Sequence, residues 1–199
     1  MWTLMVRNCV NKAFKLCLGR SKRPVFFAVD AVRPELRRLE ENVDAIRDEL
    51  APVLAQRARK MPRYHEADVR QRAISEGERD WRVFVLATRN WGLKYPGQRD
   101  FPRTTAMLEG IPNVVGSFFS VLDPGKSVPA HAGPYLGYLR YHLALEVPVE
   151  NPPWIRVKDR TYTWRRDEGV IFDDSYRHEV FNEATSPRVV LVVDVLRPM

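Results

Sequence analysis

The feature that most constrains this sequence is a series of short β-rich runs, which starts at Trp81 and continues almost to the C-terminus. Turns rich in Pro, Gly and Asp separate the runs, as at 123–125 and 151–153. Many short strands at close spacing, without alternating helices, indicate an antiparallel sandwich or jelly roll rather than a parallel α/β sheet. The predicted strands span residues 81–87, 114–122, 139–147, 154–157, 161–164, 169–172, 179–181 and 189–196.

Helices are predicted mainly ahead of these strands. Residues 34–51 carry apolar side chains at alternating steps of three and four, which predicts a helix with one buried face. Pro52 is expected to end or kink this helix. A shorter helix is predicted at 102–108. Residues 62–80 are polar without clear periodicity and predict a long loop that lies over a site, with His65 at its surface.

The size and composition of the chain predict one sizeable core. There are 199 residues, of which 45% are hydrophobic. We therefore predict a basic amphipathic segment at 1–24 and a single domain at 25–199. The two cysteines, Cys9 and Cys17, match neither a disulfide framework nor a metal-binding spacing, which favours a reducing compartment such as the cytoplasm.

The N-terminal segment predicts a helix over 2–18, with apolar residues on one side and Arg7, Lys12 and Lys15 on the other. Two interpretations stand side by side: peripheral contact with the inner face of an anionic membrane, or a helix packed on its own domain. The charged residues interrupt the segment, so it predicts neither a membrane span nor a secretory signal. The formal net charge is +7, but after Asp30 the bases are mostly interleaved with acids, and no motif predicts a nucleic-acid partner.

Two of the four histidines, His131 and His178, lie at predicted strand borders, where a jelly roll can bring them together. Imidazole binds iron, zinc and copper alike, so this pair alone leaves the metal open. By number alone, the two side chains are also consistent with hydrogen-bonded structural histidines. The residues that flank them decide between these interpretations.

The flanking motifs are distinctive in composition and in order. They are SVLDPG at 120–125, HAGP at 131–134, LRYH at 139–142, FDDS at 172–175, HEV at 178–180, Arg188, and VDV at 193–195. This pattern resembles the catalytic domain of the aspartyl/asparaginyl β-hydroxylases over residues 103–198.

The resemblance implies a mainly β fold, a double-stranded β-helix or jelly roll with N-terminal supporting helices. It also implies an Fe(II)- and 2-oxoglutarate-dependent dioxygenase that uses dioxygen to hydroxylate an unactivated C–H bond. Among the catalytic residues, His131 and His178 match the iron ligands, and Arg188 matches the arginine that binds the distal carboxylate of 2-oxoglutarate. The other residues that match the co-substrate pocket are Ser120, Arg140 and His142. A guanidinium suits this task because its planar fork binds a carboxylate through two hydrogen bonds.

Gly133 stands two residues after His131, where most oxygenases of the wider superfamily carry a third, carboxylate ligand. The aspartyl/asparaginyl β-hydroxylases resemble this chain in having glycine there, which implies that water takes the position. A carboxylate introduced at 133 is then expected to bind iron more tightly. The acids near the second histidine, Asp173, Asp174 and Glu179, either orient the metal ligands or cap turns.

The resemblance implies a substrate that is an amino acid, a peptide or a lipid. The β-carbon of an aspartyl, asparaginyl or related amino-acid substrate is the first expectation, in a cytoplasmic protein. A membrane lipid of the lipid A or ornithine lipid type is the alternative, with peripheral membrane contact through residues 2–18. From another class, the rival is a non-catalytic jelly-roll binding protein, for which Gly133 marks loss of the metal site.

Overall fold

A computed structural model describes residues 11, 12, 14, 23–88 and 99–198 of the chain. Within these residues, the strands are β1 (Phe26–Phe27), β2 (Trp81–Thr88), β3 (Val114–Leu122), β4 (Ser127–His131), β5 (Tyr138–Glu146), β6 (Trp154–Val157), β7 (Arg160–Thr163), β8 (Gly169–Phe172), β9 (His178–Phe181) and β10 (Arg188–Leu196). The helices are α1 (Val29–Val32), α2 (Arg37–Glu41), α3 (Val43–Leu54), α4 (Arg57–Lys60), α5 (Tyr64–Ala67), α6 (Arg72–Ser75) and α7 (Pro102–Glu109), with 3-10 turns at Pro34–Leu36 and Val69–Gln71.

The strands form two sheets in which neighbouring strands pair antiparallel. The larger sheet has the order β1-β8-β5-β10-β3-β2, and the smaller has the order β4-β9-β6-β7. Sequence neighbours are often apart in the sheets, so the connections cross between the two layers, as in a jelly roll. The predicted fold class, a mainly β jelly roll with supporting helices, is confirmed.

The larger sheet buries both of its faces. On β10, Val189, Leu191 and Val193 belong to one apolar cluster together with the helices, whereas Val190 and Val192 belong to a second cluster with the smaller sheet. This alternation follows from the two-residue period of a strand. Each fully buried Val or Leu side chain contributes about 1.5–3 kcal/mol, so both clusters stabilise the fold.

The predicted helix at 34–51 is confirmed as a 3-10 turn followed by α2 and α3. Its predicted apolar stripe is buried against the larger sheet and comprises Leu36, Leu39, Val43, Ile46 and Leu50. The helix continues to Leu54 with Pro52 inside it, so the expected end at Pro52 is two residues early. The carboxylate of Glu49 on this helix accepts hydrogen bonds from the backbone N–H groups of Arg103 and Thr104, 2.7 and 3.0 Å away, and so caps the start of α7.

Two local predictions need correction. Residues 62–80 contain α5, a 3-10 turn and α6 rather than a structureless loop, because single helical turns are too short to show periodicity. Strand β4 was not predicted, since Pro129 within it lowers the strand signal. Proline is tolerated there because β4 is an edge strand of the smaller sheet.

Most of the predicted helix at 2–18 lies outside the described residues. Of the described positions, Asn11 donates a hydrogen bond from its side chain to Pro134 O (3.0 Å) and accepts one from Leu136 N (3.0 Å). The ring of Phe14 packs edge-on against Tyr135, with 5.9 Å between the centroids. These residues therefore pack on the loop between β4 and β5. None of the helices in the described ranges is both long and apolar enough to span a membrane.

Candidate active site

The two predicted metal-binding histidines face each other across the smaller sheet. His131 ends β4 and His178 begins β9, and the two residues are register partners in this antiparallel pair. Their ring centroids are 4.2 Å apart. The residues lie far apart in the sequence, and strand pairing places them side by side.

Each of these rings is held by a backbone carbonyl two residues before it. His131 Nδ1 lies 2.8 Å from Pro129 O, and His178 Nδ1 lies 2.8 Å from Tyr176 O. A carbonyl can only accept, so each Nδ1 carries a hydrogen, which leaves Nε2 as the ring nitrogen available to a metal. Burial, followed by the neighbouring His178, lowers the pKa of His131 to about 4, which keeps this ring neutral at physiological pH. His131 thus has the protonation state that metal binding requires.

Asp174 lies directly beside this pair. Its Oδ1 is 3.4 Å from His178 Nε2, and its carboxylate accepts hydrogen bonds from Arg140 Nη1 (2.8 Å) and Tyr138 Oη (3.1 Å). Burial opposes its ionisation, but Arg140 and the histidines hold the pKa of the Asp174 carboxyl below its usual value. Within the described ranges, no cluster of three or more His, Cys, Asp or Glu side chains is arranged to hold a metal ion.

The geometry explains why position 133 is glycine. A Cβ added to Gly133 would overlap Asp174 Oδ2 and lie 2.6 Å from Asp174 Cγ. The backbone N–H of Gly133 also donates to Asp174 O at 2.8 Å, which fixes the close approach. The carboxylate of Asp174 therefore fills the volume that a side chain at 133 would occupy.

The other two acids considered near His178 pair elsewhere. Asp173 is fully buried and forms ion pairs with Arg23 (3.1 Å) and Arg197 (2.9 Å). Glu179 pairs with Arg156 on the neighbouring strand β6, with Arg156 Nε donating to its carboxylate. Asp173 thus ties both ends of the described domain to the turn that precedes β9.

A second group of polar residues surrounds Arg188 inside the jelly roll. Arg188 is 2% exposed, and its Nη2 donates to Ser120 Oγ at 3.1 Å. Trp81 Nε1 donates to the same oxygen at 2.9 Å. The Nε and Nη1 atoms of Arg188 have no hydrogen-bond partner within the described part of the chain, where no carboxylate forms a salt bridge with it either. Burial alone lowers the pKa of Arg188 to about 9, so the side chain remains a cation at neutral pH.

Aromatic rings connect the histidine pair to Arg188. Phe172 packs edge-on against both His178 (5.7 Å) and His142 (5.0 Å). His142 stacks on Trp164 at 5.8 Å, and the guanidinium of Arg188 lies over the Trp164 ring at 4.6 Å. Burial, followed by the charge of Arg188, lowers the pKa of His142 well below its usual value, so this ring is neutral. The interior therefore has an end formed by the histidine pair, which is the candidate metal site, and a cationic end formed around Arg188.

Of the six residues predicted for the site, Arg140 differs most from its predicted environment, because its guanidinium donates to two carboxylates. Its Nε and Nη2 donate to the two carboxylate oxygens of Asp194 at 2.8 and 3.0 Å, while Nη1 donates to Asp174. It lies between two acids, whereas Ser120, His142 and Arg188 surround the cationic end. The sequence assigned no site role to Trp81, Tyr138, Trp164 or Asp194, although Asp194 belongs to the VDV motif at 193–195. The signal for Asp194 was its register partnership with Arg140 across β5 and β10, which requires the strand pairing to be known.

Comparisons with known proteins agree with this arrangement. The model of the aspartyl/asparaginyl beta-hydroxylase family matches residues 40–198. An ornithine lipid ester-linked acyl 2-hydroxylase from Rhizobium tropici is 37% identical over 171 residues, which cover 85% of this chain and 59% of that protein. The human aspartyl/asparaginyl beta-hydroxylase is 33% identical over 174 residues, which cover 82% of this chain and 21% of that protein. This chain thus spans less than two thirds of the length of either relative. The family match over residues 40–198 shows that the chain belongs to the aspartyl/asparaginyl β-hydroxylase family.

Proposed function

We propose that the protein is an Fe(II)- and 2-oxoglutarate-dependent dioxygenase that hydroxylates an unactivated C–H bond. The observation that carries this proposal is the buried Arg188, for which the described residues supply no counter-ion, in the same jelly-roll interior as two histidines whose Nδ1 atoms are committed to backbone carbonyls. A buried charge is costly unless it is paired, so an anion is expected to complete the pocket. The hydroxylase names of the relatives support an enzyme of this kind.

The histidine pair fits a divalent ion such as iron(II). His131 and His178 would hold it through Nε2, since each Nδ1 is committed to a backbone carbonyl. Iron bound there, with 2-oxoglutarate and dioxygen, supplies the oxidising chemistry for C–H hydroxylation. Asp174 is held in place by Arg140 and Tyr138, so its negative charge stays next to the histidines.

The cationic end fits the distal carboxylate of 2-oxoglutarate. Arg188 offers N–H donors that no described residue accepts from, and Ser120 Oγ accepts two hydrogen bonds, which leaves its own hydrogen free to donate. His142 lies between this end and the histidine pair, where a neutral ring adds no further charge. A dianion with one end at the metal and the other at Arg188 would pair each of the two cations with a carboxylate.

For the substrate, the first candidate is the β-carbon of an aspartyl, asparaginyl or related amino-acid residue, as in the human relative's name. A lipid acyl chain is the second candidate, because the Rhizobium tropici relative is named as an ornithine lipid acyl hydroxylase. Asn11 and Phe14 pack on the loop that follows Gly133, which is the arrangement expected of a helix packed on its own domain. The lipid candidate needs the other arrangement, peripheral contact of this segment with an anionic membrane surface.

Anaerobic titration with iron(II) and 2-oxoglutarate tests the proposed cofactors without knowledge of the substrate. The complex should develop a visible metal-to-ligand charge-transfer absorption. Replacing Arg188 by Lys keeps the charge but loses the planar fork, so 2-oxoglutarate affinity should fall by about one to two orders of magnitude, or roughly 1.5–3 kcal/mol. Iron affinity should stay unchanged in this variant. No absorption in the wild type, or an unaltered 2-oxoglutarate dependence in Arg188→Lys, would overturn the proposal.

Sedimentation with anionic liposomes, together with product analysis, separates the two substrate classes. The lipid candidate requires the full chain to bind the liposomes and a variant lacking residues 2–18 to lose that binding while turning over a soluble surrogate. Ornithine lipid and aspartyl peptides are offered side by side, and hydroxylated product is measured by mass spectrometry. Product from the peptide alone rejects the lipid candidate.

A further inference from the structure

Trp164 occupies a position in the cationic end that the proposed function leaves unexplained. It follows β7, and its backbone N–H donates to Pro153 O at 3.2 Å. The side chain is 1% exposed, yet its indole Nε1 has no hydrogen-bond partner among the described residues. Buried indole N–H groups usually have a partner, because an unsatisfied buried donor costs about 1–3 kcal/mol.

The neighbours of Trp164 show the same deficit. Arg188, whose guanidinium lies 4.6 Å from the ring centroid, has Nε and Nη1 without partners in the described ranges. His142, whose ring stacks on Trp164, has Nδ1 without a partner in the same part of the chain. Three contacting side chains, each at least nine-tenths buried, thus hold unsatisfied nitrogen atoms in one place. Such a concentration indicates a ligand rather than separate packing faults.

We propose that Trp164 is a specificity-determining residue of the co-substrate pocket, with two roles. Its indole N–H donates a hydrogen bond to the distal carboxylate of the bound 2-oxo acid. Its ring face covers one side of the Arg188 guanidinium, which favours the charged form by a cation–π interaction and fixes the direction of the remaining donors. This inference rests on the proposed function, and it adds a preference for 2-oxo acids that carry a second carboxylate at the far end.

The test compares Trp164→Phe and Trp164→Leu with the wild type, using 2-oxoglutarate and 2-oxobutyrate as probes of the iron(II)-loaded protein. Trp164→Phe keeps a ring over Arg188 but removes the N–H, so 2-oxoglutarate affinity should fall by about 10- to 100-fold, as for one lost hydrogen bond to a charged group. Trp164→Leu also removes the ring and should lose more. Affinity for 2-oxobutyrate, which lacks the distal carboxylate, should stay within about twofold of the wild type in Trp164→Phe, and so should iron affinity.

Trp154→Phe is the matched control, because Trp154 stacks on Phe181 at 4.2 Å, whereas the ring that the Arg188 guanidinium lies over is that of Trp164. It should leave both affinities unchanged. Equal losses for the two probes in Trp164→Phe would show a structural role and overturn the inference, as would unchanged 2-oxoglutarate binding. If the wild type fails to bind 2-oxoglutarate, the proposed function falls, and this inference falls with it. The Phe variant decides the matter even if the Leu variant does not fold.

Discussion

The two faces of strand β10 differ in composition: one is entirely apolar, and the other includes charged residues. The side chains on the helix side, Val189, Leu191, Val193 and Val195, are all apolar and buried in one cluster. The side chains on the jelly-roll side alternate with them and include Arg188 and Asp194, with Val190 and Val192 between. Neighbouring residues of one strand therefore differ completely in what they contribute.

This difference indicates that the helix side of β10 mainly stabilises the domain, whereas the jelly-roll side carries residues of the candidate site. The helix side gains free energy from every residue, because apolar burial needs no partner. On the jelly-roll side, Asp194 is compensated by Arg140 at 2.8 and 3.0 Å, whereas Arg188 is not compensated by any carboxylate within the described residues. A cation that is buried without a counter-ion lowers stability, which is a common cost of a site prepared for a ligand.

The largest effect is expected at the histidine pair, the proposed metal site. His131→Ala and His178→Ala should each abolish iron-dependent succinate formation and weaken iron binding by more than about 100-fold, beyond the loss caused by changing groups that only orient a ligand. The fold should persist, because neither histidine belongs to the apolar clusters. Calorimetry with iron(II) and circular dichroism measure the two outcomes. His65→Ala is the control, and equal iron affinity in all variants contradicts the ligand assignment.

Opposite stability effects are expected on the two faces of β10. Leu191→Ala opens a cavity in the helix-side cluster and should lower the free energy of unfolding by about 2–5 kcal/mol. Arg188→Met replaces an unpaired buried cation by an apolar side chain of similar length, so stability should stay equal or rise while 2-oxoglutarate binding is lost. Urea denaturation of both variants measures the contrast. A large destabilisation by Arg188→Met would mean that Arg188 is paired in solution.

The sequence predicted this two-faced sheet well but not the contacts within the site. Short β-rich runs bounded by turn residues located β3 and β8 of this sheet, and β6 of the smaller sheet, at their observed bounds, because the composition of each run is a local signal. The partners of Arg140 could not be predicted in this way. Asp174 and Asp194 are 34 and 54 positions away from it, and several acids were available. Only the register of β5 with β10 and the course of the turn before β9 select these two.

The contact between Gly133 and Asp174 also could not be predicted from the sequence. From the sequence, a carboxylate at 133 was expected to bind iron more tightly; the structure leads to the opposite expectation, because a Cβ there overlaps Asp174. Gly133→Ala should displace the Asp174 carboxylate from His178, weaken iron binding by about tenfold, and destabilise the fold by about 1–3 kcal/mol. Gly133→Asp should have at least the same effect. Calorimetry and thermal unfolding measure both quantities.

A second glycine, Gly116, and a double variant test the cause of this effect. Gly116→Ala is the matched control, because the nearest atom to its added Cβ is 3.7 Å away. If the collision with Asp174 is responsible, combining Gly133→Ala with Asp174→Ala should cost less than the sum of the two single changes. Strict additivity would mean that Gly133 and Asp174 act independently.

The smallest effect is the pH dependence of 2-oxoglutarate binding and of stability. It distinguishes the contribution of the Arg188 charge to ligand affinity from its cost to the fold. Its pKa is lowered to about 9 by burial, so the cation persists below pH 9 and is lost above it. At pH 9 half of the unliganded molecules lack the charge, so 2-oxoglutarate affinity should be about twofold weaker than at pH 7.5, and weaker still at higher pH. Binding of 2-oxobutyrate, which has no distal carboxylate, serves as the control and should not show this decline.

Stability should change in the opposite direction over the same pH range. Above pH 9 the unfolded chain keeps the Arg188 proton that the folded chain has lost, and stability rises with pH wherever the unfolded state binds more protons. Other groups also titrate there, so the informative quantity is the difference in unfolding free energy between the wild type and Arg188→Met. That difference should shrink as pH rises through 9, because the buried cation is being removed from the wild type. A constant difference, together with constant 2-oxoglutarate affinity, would mean that Arg188 keeps its proton and that a counter-charge accompanies it inside the jelly roll.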